Sequence, residues 1–442
     1  MKNIIVINPP NKPFTNKGIL AEPIDALEIA TIIKGKYEDV KFVDMDALRM
    51  SNNINSYLED CLNILIFVYD YQIPLHTPQT LDNIFEIVKN IDREVKSIAI
   101  GKVPTFYHSL LIKNNIDVVI SGIVETRINE VIDNIDKDNL FNIKGLYISK
   151  GSDEIYTGDF SEQYCYGMNP NPDRSLINPT YYMDTKTIIS SRGCNGACKF
   201  CSTPSFFGKW TKKSTEKIID EIKTLINLYN TKQILFLDDN FTVDKKRVID
   251  ICNQIINEKI NIKLGCLSSI KNYDEEMFKL MYKAGFRWVH FGIESGSERI
   301  LKEMNKPMNL INIRTIIKTL KSIGFRIRTS FILDYPNQNN KDLIDTLNLI
   351  EELDPDEIRL HFLSYRVGTP LFKESELKDQ FIHQNKSDNL DKESLLIINN
   401  LLDSLKSKNY IILKEEIDWS NTKDLNKIVS FIPIKYGVGW ND

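Results

Sequence analysis

The sequence predicts an α/β protein. An N-terminal doubly wound, flavodoxin-like parallel sheet is followed by a partial (β/α)6 barrel of TIM type and a small helical C-terminal region. Three observations lead there. Short apolar runs alternate with amphipathic helical segments twice along the chain, which is the pattern of parallel sheets covered on both faces. A stretch rich in Asn and Pro separates the two series and favours turns over helices. The chain has 442 residues, enough for several domains, and 42% hydrophobic residues, enough to build their cores. The expected divisions are 1–135 for the first sheet, 136–185 for the connector, 186–375 for the barrel, and 376–442 for a charged helical region and tail.

In the first series the expected strands are Asn3–Ile7, Val40–Val43, Ile64–Tyr69, Ser97–Ile100 and Asp117–Ser121. Helical periodicity fills Glu22–Lys34 and Thr80–Ile91, and a small hairpin is expected over Gly145–Tyr156. The second series has expected strands Thr187–Ser191, Gln233–Leu237, Ile262–Leu267, Trp288–Ile293, Ile327–Leu333 and Ile358–Leu363. Its helices are Ser214–Tyr229, Lys245–Glu258, Asp274–Ala284, Asn309–Ile323 and Lys341–Leu353. Ser214, Asp244 and Asp274 stand where N-caps belong, and Gly285 and Gly324 where helices end. From about Lys373 the chain reads as helical and charged, ending in an aromatic tail from Phe431 to Asp442.

The formal net charge is −4, with Lys and Asp/Glu interspersed, so no basic stripe points to nucleic acid. No apolar run is long enough to span a bilayer, and the N-terminus runs into an apolar strand without a signal-peptide pattern. A soluble, cytoplasmic protein is the expectation. Seven cysteines, an odd number, argue against a disulfide framework. Cys61, Cys165, Cys252 and Cys266 read as buried or incidental thiols.

The other three form the strongest signal. Cys194, Cys198 and Cys201 have the spacing C-x3-C-x2-C directly after an apolar strand. Soft thiolates at this spacing suit an iron–sulfur cluster or zinc. Zinc normally takes four protein ligands, and no fourth Cys or His is near in sequence. Three thiolates on a 4Fe–4S cluster leave one iron open. Gly193 and Gly196 permit tight wrapping of the loop, and Phe200 between two ligands offers an apolar cover. In a parallel barrel the residues past the strand ends converge on one mouth. Here they are Asp238-Asp239-Asn240, Ser268-Ser269, Glu294-Ser295, Asp334-Tyr335 and Tyr365-Arg366.

The cysteine loop resembles that of the radical SAM superfamily. The segments Ser191-Arg192-Gly193-Cys194, Phe200-Cys201-Ser202-Thr203-Pro204, Phe236-Leu237-Asp238-Asp239-Asn240-Phe241, Phe291-Gly292-Ile293-Glu294-Ser295-Gly296 and Gly368-Thr369-Pro370-Leu371 resemble the branch with an N-terminal cobalamin-binding domain. The resemblance implies a 4Fe–4S cluster on the three cysteines whose open iron binds S-adenosylmethionine (SAM). It also implies reductive cleavage of SAM and modification of an unactivated substrate. Asp238 or Asp239 would serve the SAM ammonium and Glu294 its other polar groups. Ser268, Arg328, Arg366 and Phe200 are further candidates for cofactor contact. A reducing partner such as flavodoxin or ferredoxin is implied, with a small-molecule or peptide substrate.

The sequence departs from the branch in places. Ser269 stands where the family commonly has Arg, and Asp334-Tyr335-Pro336 where it has Gly-x-Pro. Arg328 and Arg366 are candidates to replace the missing cation or to bind an anionic substrate. The N-terminal domain keeps Asn8-Pro9-Pro10, Gly101, Pro104 and Thr105 but has Lys102 and Val103 where the branch often has Pro and His. It lacks a cobalt-ligating His motif, and His76 and His108 read as surface or capping residues. Cobalamin-linked methylation or alkylation is therefore one expectation, with any cobalamin between the domains. A cobalamin-independent transfer or rearrangement is the second, and a non-catalytic iron–sulfur or zinc protein the third.

Overall fold

The computed structural model describes residues 2–442 except 11–19, 51–52, 70–80, 92–93, 152, 161–163, 362, 364–367, 375–392, 395, 399, 401–409, 413–428 and 434–442. The chain divides into two compact units, 1–192 with 206–231, and 193–205 with 232–442. Among the described residues no helix is long and apolar enough to cross a membrane.

The first unit is built on a seven-stranded sheet. Its strands are β1 (Lys2–Asn8), β2 (Val40–Asp44), β3 (Leu62–Val68), β4 (Val95–Ile100), β5 (Val118–Ile120), β6 (Leu146–Lys150) and β7 (Asp153–Tyr156), in the order β2-β1-β3-β4-β5-β6-β7. The first five pair in parallel, and the expected hairpin adds β6 and β7 antiparallel to β5. Strands such as β1 and β3 are buried along almost their whole length, as a sheet covered on both faces requires. Further along, the same unit contains β8 (Lys186–Ile188), β9 (Ser191–Arg192) and β10 (Thr211–Lys212). The last two pair antiparallel.

This unit buries a network of four cations and four carboxylates. Arg192 Nη2 pairs with Asp25 and, at 2.8 Å, with Glu28 Oε2. Lys213 Nζ lies 3.2 Å from Glu28 Oε1 and 3.1 Å from Glu221 Oε2. Arg174 donates to Glu22 at 2.8 Å, to Glu221 at 2.9 Å and to the Thr187 carbonyl at 2.8 Å. Lys186 lies 3.5 Å from Glu22. Tyr166 donates its hydroxyl to Glu28. These side chains are almost wholly buried, so the charges hold only as a matched set.

The second unit contains five parallel strands: β11 (Gln233–Phe236), β12 (Lys263–Ser268), β13 (Phe286–Glu294), β14 (Arg326–Ile332) and β15 (Glu357–His361). Four of the intervening helices begin with side-chain caps where the sequence placed them or close by: Asp244, Asp274, Asn309 and Asn339 each accept from a first-turn backbone N–H. In the first unit Ser214 caps the helix Thr215–Tyr229 in the same way. Gly324 closes the helix Leu310–Ile323 at φ +111°. A short helix over Glu298–Glu303 was not anticipated. Nor were β16 (Tyr410–Ile412) and β17 (Val429–Pro433), which extend the sheet antiparallel from β15 in a region expected to be helical or a tail. Edge pairing supplies partners that helical periodicity does not reveal.

Replacing Arg192 with Met leaves Asp25 and Glu28 buried and one cation short. A loss of about 3–5 kcal/mol in unfolding free energy is expected from denaturant titration, and an unchanged midpoint would refute that role for the network. Burial works against the charged form of Glu28, but Lys213 and Arg192 outweigh it and hold the carboxyl below its ordinary value. Its contribution is thus present above the ordinary carboxylate range and is lost as pH falls through and below it.

Candidate active site

The cysteine loop starts at Gly193, whose φ of +85° suits a residue without a side chain. A Cβ at Gly196 would lie 3.4 Å from Cys194 Sγ and 3.9 Å from Cys198 Sγ, so two sulfurs flank this glycine. Gly196 donates its backbone N–H to Cys194 Sγ at 3.3 Å. The Asn305 side chain donates to the Ala197 carbonyl at 2.8 Å. Lys199 N–H donates to Met304 O, and Leu371 N–H to Lys199 O, each at 3.0 Å. Phe200 packs on the buried cluster of Ile300, Leu301, Met304, Ile332, Tyr335, Leu363 and Leu371. The loop is thereby pinned on both flanks.

The two adjacent aspartates do different things. Asp239 accepts from Gly193 N–H at 3.2 Å and from the Thr203 hydroxyl at 2.9 Å, so it holds the loop that carries the cysteines. Asp238 is fully buried and accepts from Arg247 at 3.0 Å. Arg247 also donates to the Phe241 carbonyl, on the helix side of the strand. One residue of displacement past β11 separates the loop-facing carboxylate from the helix-facing one.

Glu294 ends β13 at a register shift, with φ +71°. Its Oε1 accepts from Lys306 Nζ at 2.7 Å. Gly292 makes room for this pair: a Cβ there would come 2.2 Å from Glu294 Oε1 and 2.9 Å from Lys306 Nζ. Burial alone would pull the Lys306 ammonium down, but Glu294 and the sulfurs of Cys198 and Cys201 raise it above its ordinary value. Burial in turn pushes the Cys198 thiol up to about 11, with Lys306 working the other way. A cation among thiols that desolvation disfavours as thiolates is the setting in which a thiolate-ligated, negatively charged cluster gains most. Among the described residues, no three His, Cys, Asp or Glu side chains close on a single metal ion. A cubane asks for something else, one thiolate on each of three irons, and the loop fits that demand.

The remaining candidates are scattered. Ser268 hydrogen-bonds Thr242 at the end of β12. Arg328 lies near the start of β14, not its end, and donates to Glu357 at 2.5 Å. Arg366 lies outside the described residues. Asp334, past the end of β14, accepts from Leu363 N–H, and burial pushes its carboxyl up to about 7. Sequence reasoning missed Asn305 and Lys306. The available signal was an Asn, here at φ +56°, directly after a short helix that follows the Glu294 motif.

The two aspartates separate by experiment. Asp238→Asn removes the buried carboxylate charge that faces Arg247 and is expected to cost about 3 kcal/mol of stability, read by denaturation, while iron content holds. Asp239→Asn should instead lower iron retention after anaerobic reconstitution with little change in the unfolding midpoint. Equal behaviour of the two variants would contradict the assignment. Gly292→Ala should weaken SAM binding roughly tenfold by displacing the Glu294–Lys306 pair, about the value of one charge-assisted hydrogen bond.

Residues 188–350 match the family model of the radical SAM superfamily. An uncharacterized methyltransferase of Pyrococcus horikoshii is 27% identical over 383 residues, covering 84% of this chain and 82% of that protein. The structure resembles that of the cobalamin-dependent SAM radical enzyme OxsB with aqua-cobalamin bound, at a TM-score of 0.70 and 16% identity, over 88% of this chain and 63% of that one. It also resembles the radical SAM methyltransferase TsrM from Kitasatospora setae, at 0.68 and 15%, over 85% and 74% of the two chains. At these identities the likeness speaks for the fold: a doubly wound sheet followed by a partial barrel. With its three-cysteine loop, the segment 188–350 is similar to the radical SAM superfamily, whose family model it matches.

Proposed function

We propose that this enzyme holds a 4Fe–4S cluster on Cys194, Cys198 and Cys201 and uses it to cleave SAM, so that a SAM-derived group or radical modifies an unactivated small molecule. The observation that carries this reading is the convergence of the cysteine loop with Asp239 and the Glu294–Lys306 pair. When bound, the cluster supplies the electron that breaks a C–S bond of SAM. The chain's own residues orient and protect. Asp239 fixes the loop through Gly193 and Thr203 and is the aspartate placed to meet the SAM ammonium. Lys306, beside the thiols, is the cation for the SAM carboxylate, a role the sequence had offered to Arg328 or Arg366. Lys306 also orients Glu294 toward the cofactor's polar groups. Phe200, seated on Ile300 and Leu301, covers the loop against water. The reaction requires an external one-electron donor, for which flavodoxin or ferredoxin in the cytoplasm is the proposal.

The transferred group is proposed to be methyl or alkyl, with cobalamin as carrier. Gly101 supports a close-fitting strand-end loop: at φ +120° it packs so tightly that a Cβ would meet the Tyr69 carbonyl at 2.2 Å. His108 offers no cobalt ligand, because it pairs with Glu154 at 2.8 Å and stacks on Tyr147 at 3.5 Å. His76 and the Asp70–Leu75 loop lie outside the described residues. Lys102 is buried with its ammonium over the rings of Phe206 and Phe207, at 5.9 Å and 5.2 Å. Any cobalamin is therefore held without His108 as a ligand.

Anaerobic reconstitution should give one 4Fe–4S cluster per chain and reductive cleavage of SAM. Combined replacement of Cys194, Cys198 and Cys201 by Ala should abolish both. Stoichiometric zinc without iron in anaerobically purified protein would reject the reading. Retention of hydroxocobalamin after desalting, read by absorbance, should approach one equivalent. No retention with SAM cleavage intact would leave a transfer that proceeds from SAM alone.

A further inference from the structure

The two sides of β13 differ in what covers them. Burial alternates along the strand, with Val289 and Phe291 buried and His290 and Gly292 partly exposed. The Phe291 ring lies 6.2 Å from that of Phe278, on the helix Glu275–Lys283. That side is therefore the helix-covered one. Side chains alternate along a strand, so His290 projects from the opposite, polar side. Register carries this polar side to Leu267 on β12, to Arg328 on β14 and on to Glu357 on β15. Leu267 and Arg328 are likewise partly exposed, while their chain neighbours Cys266 and Ile327 are buried. A parallel sheet is normally closed on both sides. Here one side is closed and the other is reached by solvent, as the wall of a chamber is.

Charged groups on the polar side hold one another. Glu357 lies 2.9 Å from Arg326, pairs with Arg328 and accepts the Trp288 indole N–H at 3.1 Å. Lys306 donates to Glu294. His290 is different. Its Nε2 atom is buried and, among the described residues, has no hydrogen-bond partner. Buried polar atoms without a partner are few in native proteins. Burial first, then Arg328, Arg359, His361 and Lys306, hold the ring well below its ordinary value, so it is neutral. A neutral imidazole has one donor and one acceptor nitrogen. Beside it in register stands Leu267, and the preceding row brings Leu235 and Gly265. His290 thus stands where an apolar stretch of wall meets the ion pairs.

We propose that His290 is a substrate-recognition residue of this chamber, and that it binds an uncharged hydroxyl or amide group on an otherwise apolar part of the molecule the enzyme modifies. The inference rests on the radical SAM reading, which makes the inner side of the parallel strands the reaction chamber. A hydroxyl or an amide both donates and accepts, so either tautomer of His290 can hold it. A carboxylate only accepts, and an ammonium only donates. Arg326 and Arg328 are already matched by Glu357, so the recognised group need carry no charge. Leu235, Gly265 and Leu267 give the apolar part its wall. His290 precedes Glu294 by four residues, about 13 Å along a strand. The recognised group thus sits deep, and the reacting carbon nearer the strand ends and the cysteine loop. His290 determines specificity and breaks no bond.

The test uses the full chain with its cluster reconstituted and its histidines isotope-labelled for NMR. Loss of signals in His290→Gln identifies those of the His290 ring. Isovaleramide and isoamyl alcohol are titrated as probes, with isovalerate and isoamylammonium as charged isosteres. A neutral probe this small should bind with a Kd of about 1 mM. Saturable shifts of the His290 ring signals are expected with a neutral probe and with neither ion. His290→Leu should weaken binding of that probe roughly tenfold by calorimetry, the scale of one buried hydrogen bond, and His290→Gln less. No shift with either neutral probe, an equal shift with an ion, or displacement of the probe by SAM would overturn the proposal. So would unchanged affinity in a His290→Leu chain that retains its iron. If that variant loses its iron, the comparison of neutral and charged probes on the parent chain decides alone. Iron content and SAM cleavage are read on the same parent sample. Their presence without probe binding removes only the recognition role, whereas their absence removes the radical SAM reading itself.

Discussion

Four buried cations and four buried carboxylates, matched within one network, constrain the first unit more than any apolar contact does. Glu22, Asp25 and Glu28 come from the first helix and the residue stretch before it. Arg174, Lys186, Arg192, Lys213 and Glu221 come from segments some 150 to 200 residues later. Each charge is tolerable out of water only because its partners are present, so the network specifies which segments meet and in what register. It also fixes Arg192, the residue before the cysteine loop, in a fully buried position. The β9–β10 pairing adds backbone hydrogen bonds at the same place.

In the second unit the governing constraint is again electrostatic, but on the scale of a few side chains. Thiols buried in protein resist ionisation, and a cluster needs them ionised. Lys306 lies where it favours the thiolates, and Glu294 holds Lys306 there. The geometry requires a bulge, a non-glycine residue at positive φ and a glycine beneath the ion pair, three local irregularities in one strand end. Strain concentrated at a site that must present polar groups is common, and the rest of β13 is regular enough to bear it.

Deeper on the same strands, the polar side does not behave as an ordinary core. The Trp288 indole N–H donates to Glu357 at 3.1 Å, and Arg328 covers the ring. Among the described residues, Glu357 also pairs there with both Arg326, at 2.9 Å, and Arg328. A side chain set of this kind is costly to bury and inert to the apolar packing on the reverse side of the same strands.

Much was legible from sequence because the signals are local. Period-2 and period-3.6 patterns, Ser214, Asp244 and Asp274 as caps, Gly324 as a helix stop and the C-x3-C-x2-C spacing all depend on residues within a turn or two of each other. The family motifs are likewise contiguous. What sequence could not decide was set by register and by distant partners. Asp238 and Asp239 are adjacent and chemically identical, and only the strand's alternation makes one a partner of Arg247 and the other an anchor of the cysteine loop. Arg328 was by type a candidate for the cation missing at Ser269, but its place near the start of its strand puts it beside Glu357. Lys306 gave no sign in sequence, because its role exists only once a strand end, a short helix and a loop 100 residues earlier are brought together. Covalent neighbours determine which element forms, whereas hydrogen-bond register and burial determine which way each side chain faces.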